Sequence, residues 1–166
     1  MKFTLNEIEN WKEFEHLVED YFKIIKNIKE NNLVGVKVEA SGVGSDGGRG
    51  ILLTFRVDDS VSIYERKWIV QCKYYAKSLS KKHISDVNIP TLIHEYGANG
   101  YLLICKSEVT SKVSEMFENL RRNCAFRYDY EIWDGNELIN KLFLTPQLYR
   151  KFFPKYNNYL DKGNVT

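Results

Sequence analysis

Three residue types that together handle phosphate chemistry lie close along this chain. Asp46 sits in the glycine-rich stretch "GSDGGRGILLTF" (44–55), and Gln71 and Lys73 stand two residues apart in "WIVQCKYY" (68–75). Side chains of an extended strand alternate between faces, so Trp68, Val70, Cys72 and Tyr74 share one face and Ile69, Gln71, Lys73 and Tyr75 the other. An amide and an ammonium thus project together. A hairpin that brings the Asp46 turn to the same end of the sheet gathers an acid, an amide and an ammonium in one place. That set suits phosphodiester hydrolysis: carboxylate and carbonyl oxygens hold a hard divalent ion such as Mg²⁺ (or Mn²⁺), and a lysine stabilises the charge developing on the phosphate. Each residue also has a plainer use. "DGG" is a common tight-turn sequence, and Gln and Lys at alternate positions are what the solvated side of a half-buried strand carries.

The elements that must position these residues are readable from periodicity. Trp11, Phe14, Leu17, Val18, Tyr21, Phe22, Ile25 and Ile28 follow helical spacing, and Asn10 with Glu13 forms a capping-box start, which predicts a helix over 11–28. Alternation predicts strands over 34–40, 51–57 and 61–75, the last two joined as an antiparallel hairpin by the polar "DDS" turn. A helical region through "ISDVNIPTLIHEYG" carries an irregularity at Pro90 and ends at Gly97. "GYLLIC" reads as a buried strand, Thr110 as the cap of a helix "SKVSEMFENLRR", and "YDYEIW" as the last strand. "DGNELINKLF" and "TPQLYRKFF" read as closing helices, the latter with Thr145 as cap and Pro146 at its first position. The division expected is a domain over 1–154 and a loose tail or linker start over 155–166. The order predicts an α/β fold with a mixed sheet flanked by helices on both faces.

Composition fits one such core. The chain has 166 residues, 43% hydrophobic and 28% charged, enough for one domain and hardly for two. A formal net charge of +2 is too small to announce a nucleic-acid binder, so a DNA surface has to come from local clustering. "KYYAKSLSKKH" offers one, combining Lys73, Lys77, Lys81 and Lys82 with Tyr74 and Tyr75 directly after the strand of interest. A solubilising surface explains the same lysines equally well, and Arg49 suits either a phosphate contact or a surface ion pair. Cys72, Cys105 and Cys124 are odd in number and widely spaced, which argues against a disulfide framework or a zinc site and makes a reducing, cytoplasmic setting the default. Cys72 reads as a small core residue whose backbone carbonyl is available as a metal ligand. No segment approaches membrane-spanning length, so no membrane partner is expected.

The order of these motifs resembles the Mrr-like branch of the PD-(D/E)xK nuclease superfamily over nearly the whole chain. The similarity begins in "FEHLVEDYF", passes through "VKVEASGVGSDGGRGI", and reaches "WIVQCKYY", which looks like the family's glutamine-variant QxK strand. "YGANGYLLICKSEVTSKV" and "YEIWDGNELINKL" resemble its later strand-and-helix units. The resemblance implies a restriction-endonuclease-like fold with an αβββαβ core. It makes Glu15 the helical glutamate assisting metal or water, Gln71 the stand-in for the usual acid, and Lys73 the catalytic lysine. The metal ligands it implies are Gln71, Glu15, Asp46 and the Cys72 carbonyl. The family pattern "DGGxD" sets a metal-binding aspartate after Arg49, and here Gly50 stands in its place.

That glycine leaves three explanations open: cleavage lost with DNA binding kept, Asp46 taking over, or inactivation of a site that carried Asp. The activity implied is a Mg²⁺-dependent DNA endonuclease serving defence against foreign DNA, with an altered or inactivated site. The alternative is a catalytically inactive nuclease fold that binds DNA or a partner. Cutting both strands calls for two active sites, so a homo-oligomer or a larger multidomain protein is expected.

Overall fold

The computed structural model describes residues 1–40, 50–124 and 127–163. Asp46 and Arg49 fall outside these described residues. Helix α1 (Trp11–Ile24) is followed by strands β1 (Leu33–Ala40), β2 (Gly50–Asp58) and β3 (Ile63–Lys73). Helix α2 (Ile89–Tyr96), β4 (Gly100–Cys105), α3 (Ser111–Cys124) and β5 (Asp129–Trp133) come next, then α4 (Gly135–Leu142), α5 (Tyr149–Phe152) and α6 (Pro154–Gly163). The strands form one sheet in chain order, β1-β2-β3-β4-β5. The first two pairings are antiparallel and the last two parallel, so the sheet changes character at β3.

Local chemistry explains most element ends. The Asn10 side chain accepts from the Glu13 N–H at 3.0 Å, meeting one orphan donor of the first turn, and the Glu13 carboxylate reaches back to the N–H of Glu9, just before the cap, at 2.7 Å. The β2–β3 hairpin closes through Asp58 and Asp59, whose carboxylates accept the N–H groups of Ser60, Val61 and Ser62. Those of Ser62 and Val61 hold the Asp59 carboxyl below its ordinary range. Gly97 ends α2 at φ +57°, a left-handed conformation that glycine adopts without steric cost.

Two cores lie on the two sides of the sheet. On one, Phe14, Leu17, Val18 and Phe22 of α1 pack on Ile51, Leu53, Val70, Cys72, Leu102 and Ile104, with Leu138 and Leu142 of α4 and Tyr149 and Phe152 of α5 joining them. On the other, Ile93 of α2 and Val113 and Phe117 of α3 cover Ile69, Tyr101, Leu103 and Cys105. Each such side chain, fully buried, contributes about 1.5–3 kcal/mol. β4 is buried along its whole length, as expected of a parallel strand covered by helices on both faces.

Several expectations are corrected. The first helix stops at Ile24 and gives way to a 3₁₀ turn over Ile25–Asn27. Pro90 is no interior irregularity: Asn88 caps the helix through the Thr91 N–H, and Pro90 lies in the first turn, where its missing N–H costs nothing. Thr110 precedes α3, yet its hydroxyl is buried and makes no hydrogen bond among the described residues; its carbonyl accepts from Val113 and Ser114. The Thr145 hydroxyl likewise turns back to the Leu142 carbonyl at 3.2 Å instead of capping the turn that starts at Pro146. The loose tail is largely a helix, α6. Its backbone N–H groups at Lys155 and Tyr156 donate to the Glu7 carboxylate at 2.8 and 3.0 Å, and the Tyr156 ring packs 4.7 Å from Phe3.

Candidate active site

Alternation along β3 separates the two cores as expected. Val70 and Cys72 face α1, with Trp68 and Tyr74 against the same core, while Ile69 and Tyr75 face the α2 and α3 side. Gln71 and Lys73 therefore share that second face, and both are almost fully buried, at 4% and 3% exposure. The solvated-strand alternative fails on these numbers. A buried amide needs a partner, and Gln71 has one: the Tyr101 hydroxyl on the neighbouring β4 donates to its Oε1. This fixes the amide's orientation and leaves Oε1 a second lone pair. Burial, reinforced by the Asp86 carboxylate, pushes the Tyr101 hydroxyl well above its ordinary range, so the phenol stays a donor.

Gly50 is buried and pairs directly with Gln71 across the β2–β3 ladder. Directly opposite residues in an antiparallel pair point to the same face, so the position where an aspartate is expected borders Gln71 on the Lys73 side. The Lys73 carbonyl accepts from the Lys106 N–H at 3.1 Å on the β4 side. Alternation therefore directs the Cys72 carbonyl to the β2 side, one residue beyond the Gly50–Gln71 pair.

Glu15 is buried, against the usual fate of a glutamate bordering an apolar stripe. It lies on the α1 face: after burial itself, the Glu15 carboxylate is the largest cause raising the Cys72 thiol. The structure thus brings Gln71, Lys73 and position 50 together on one face of β3 and places Glu15 of α1 close to Cys72, which lies between Gln71 and Lys73 in sequence. Among the described residues no group of three or more His, Cys, Asp or Glu is placed to hold a metal ion. The described donors, namely the Glu15 carboxylate, the Gln71 amide and the Cys72 carbonyl, are a partial set, short of the carboxylates Mg²⁺ prefers.

The basic segment after β3 is held in place. Leu79 forms a parallel bridge with Val109, its N–H donating to Glu108 at 2.8 Å and its carbonyl accepting from Thr110 at 2.9 Å. Lys77, Lys81 and Lys82 are exposed around this anchor. The Ser80 N–H donates to His83 Nδ1 at 2.9 Å, and the His83 ring lies 4.5 Å from that of the half-buried Tyr75. His83 is thus a cap and a stacking partner. A cleft of about 350 Å³, lined by Tyr75, Lys106 and Ser107 among others, opens at the carboxyl ends of β3 and β4, where open α/β sheets place their ligands. Lys106 crosses to the Ile8 carbonyl at 2.9 Å and the Tyr74 hydroxyl at 3.0 Å.

Sequence reasoning missed Tyr101 and Lys106. The signal for Tyr101 was a phenol inside the otherwise apolar "GYLLIC", since a buried tyrosine hydroxyl usually finds a polar partner.

A restriction endonuclease family model, that of the Mrr catalytic domain, matches residues 6–142. The chain belongs to that family. Its matched span runs from before α1 to the end of α4, taking in the whole sheet and every described candidate residue. Two solved structures are similar. One is the DNA modification-dependent restriction endonuclease AspBHI, at 13% identity and a TM-score of 0.47, covering 86% of this chain and 38% of that one. The other is the MspJI restriction endonuclease in complex with a 27-mer oligonucleotide, at 10% identity and 0.49, covering 78% and 27%. The chain therefore spans well under half the length of either. No curated protein sequence matches it. The fold is a restriction-endonuclease-like α/β sheet flanked by helices, and no helix among the described residues is long and apolar enough to cross a membrane.

Proposed function

We propose that this chain is a DNA endonuclease module that hydrolyses phosphodiester bonds with Mg²⁺ (Mn²⁺ as substitute), acting in defence against foreign DNA and weakened by Gly50. The observation that carries the reading is a lysine and a glutamine, both almost fully buried, on one face of the strand where the sheet changes from antiparallel to parallel. Lys73 brings an ammonium to the negative charge that builds on a cleaved phosphate. Gln71, held by Tyr101, presents an oriented amide oxygen beside it. Mg²⁺, when bound, would neutralise phosphate charge and activate a water. Glu15, Gln71, the Cys72 carbonyl and Asp46 are the residues assigned to hold it. Lys77, Lys81, Lys82, Tyr75 and Arg49 are assigned to the DNA backbone, and Lys106 at the same cleft adds positive charge. Two copies, or a longer protein, supply the second cut of a duplex, in a cytoplasmic setting.

One observation favours a second reading, a fold that binds DNA without cutting: the position opposite Gln71 has no side chain. Nicking of supercoiled plasmid in Mg²⁺ or Mn²⁺, alongside binding to the same DNA at low salt, separates the two. Nicking lost in Lys73→Ala supports the endonuclease. Binding without nicking in either metal supports the second reading, and absence of both defeats the two together.

A further inference from the structure

Strand β5 is an edge of the sheet, pairing only with β4 among the described residues. Its first residue takes the Asn99 carbonyl through the Asp129 N–H at 2.9 Å, and the Trp133 carbonyl accepts from Cys105 Sγ at 3.7 Å, so residues 129, 131 and 133 turn their backbone groups inward. Tyr130 and Ile132 turn theirs outward. Arg121 confirms the direction by donating from Nε to the Tyr130 carbonyl at 2.5 Å. The N–H and C=O of Ile132 have no comparable partner among the described residues.

This edge is the floor of a trench. α3 rises on one side of the sheet and α4 on the other, enclosing a cavity of about 710 Å³ along residues 131–134. The walls carry Glu118, Glu131, Asp134 and Glu137 against Arg121 and Lys141. Arg121 pairs with Glu131 at 3.3 Å and Lys141 with Glu137 at 3.2 Å, while Glu118 and Asp134 have no ion pair among the described residues. Asp134 uses Oδ1 to cap α4, accepting from the Asn136 and Glu137 N–H groups at 3.0 and 2.9 Å, and Glu118 is the exposed charge. An unpaired strand edge is a template for another strand, and natural proteins usually blunt it with lysine, proline or a covering element. Here the flanking helices leave it open and the balance of charge at its rim is acidic.

We propose that the β5 edge is a docking site for an extended, lysine- or arginine-bearing segment of a partner protein, added as a sixth strand between α3 and α4. Backbone bonds to Ile132 supply affinity, and Glu118 and Asp134 select cationic side chains alternating along the incoming strand. Arg121, already on Tyr130, stops the added strand at that end. The site lies two strands away from Gln71 and Lys73, and its occupation does not depend on cleavage.

The probe is a fluorescent seven-residue peptide alternating lysine with valine, titrated into the whole chain and followed by anisotropy. Saturable binding is expected, with slowed hydrogen exchange at the Ile132 amide. Affinity should fall by about tenfold or more in Ile132→Pro, which removes the outward N–H and leaves the β4 ladder intact, and in Glu118→Lys, an exposed change that spares the fold. Equal binding of a glutamate-valine peptide or of a peptide with a central proline would overturn the proposal. So would failure of the lysine peptide to bind, or unchanged affinity in Glu118→Lys. Sedimentation showing a dimer that Ile132→Pro dissociates would overturn it in favour of a second copy as occupant.

Discussion

Replacing Gly50 by aspartate tests the reading of the site most directly. Gly50 and Gln71 are paired across β2 and β3. Their β-carbons would stand about 4.5–5.5 Å apart, with the diagonal to position 73 about 7–8 Å. A carboxylate at 50 would therefore meet the Lys73 ammonium with a Coulomb attraction of about 2.4 kcal/mol at 7 Å and an effective dielectric constant near 20, enough to offset part of the cost of burying it. It would also add a carboxylate directly opposite Gln71, where the glycine offers no side-chain oxygen. Losing a group that merely supports a metal ligand costs roughly 10–100-fold in affinity, so a direct carboxylate should lower the half-saturating Mg²⁺ concentration by about 100-fold or more. Plasmid nicking against Mg²⁺ concentration reads the effect, and calorimetry with Mn²⁺ reads binding apart from turnover. In the Gly50→Asp background, Lys73→Ala should then lower the nicking rate by about 10²–10³ while metal binding persists. A folded Gly50→Asp protein with the metal requirement and rate of the native chain would refute the assignment of position 50.

Other expectations rest on particular contacts. A β-carbon on Gly135 would lie 2.2 Å from the Lys106 carbonyl oxygen; Gly135→Ala should cost about 2–3 kcal/mol and lower Tm by roughly 4–12 °C in a calorimetric scan. Tyr101→Phe leaves the buried Gln71 oxygen without its donor and should cost about 1–3 kcal/mol in urea unfolding. Changing Lys77, Lys81 and Lys82 together to alanine should flatten the slope of log affinity for DNA against log salt by roughly 2–3 units if each meets a phosphate; an unchanged slope removes this segment from the interface. Burial pushes the Cys105 thiol up to about 12, with Asp134 adding to it, and the Tyr21 hydroxyl up to about 12, with Glu137 adding to it. Both groups are raised, so the unfolded chain gives up these protons first and their stabilisation is complete only below its ordinary thiol and phenol values. Stability should fall by about 1.4 kcal/mol per pH unit for each group, from about pH 9 for Cys105 and about pH 10 for Tyr21. A flat unfolding free energy from about pH 8 to about pH 11 would contradict it.

Much of the fold was legible because its signals are local. Period-two alternation in "WIVQCKYY" assigned the faces of β3, and Asn10 and Gly97 marked helix ends, whereas the Asn88 cap was hidden behind the reading of Pro90 as an interior irregularity. What escaped depends on distant partners. Nothing near Pro154 announces α6, which is held by Glu7 and Phe3 from the other end of the chain. The Thr110 and Thr145 hydroxyls sit at helix starts, yet tertiary surroundings decide whether they cap. At the site, the common face of Gln71 and Lys73 followed from alternation alone. Their burial did not, because it needs α2, α3 and β4 laid over them. The burial of Glu15 was hidden for the same reason: a helix border position is exposed or enclosed according to the sheet beneath it. Sequence placed Gly50 beside the motif, and only the register put it directly opposite Gln71.

The strict succession of strands across the sheet has a consequence for how the protein is made. Each strand finds its partner in the one synthesised just before it, so the β1–β2–β3 meander can assemble as soon as Lys73 has left the ribosome, with little loop closure to overcome. At that stage one side of β3 still faces solvent. Tyr101, which orients Gln71, arrives with β4, and α3, which seals the same face, later still. A nascent chain therefore carries the pair for some time with the amide unoriented, and the site matures only as the second half of the sheet is laid down.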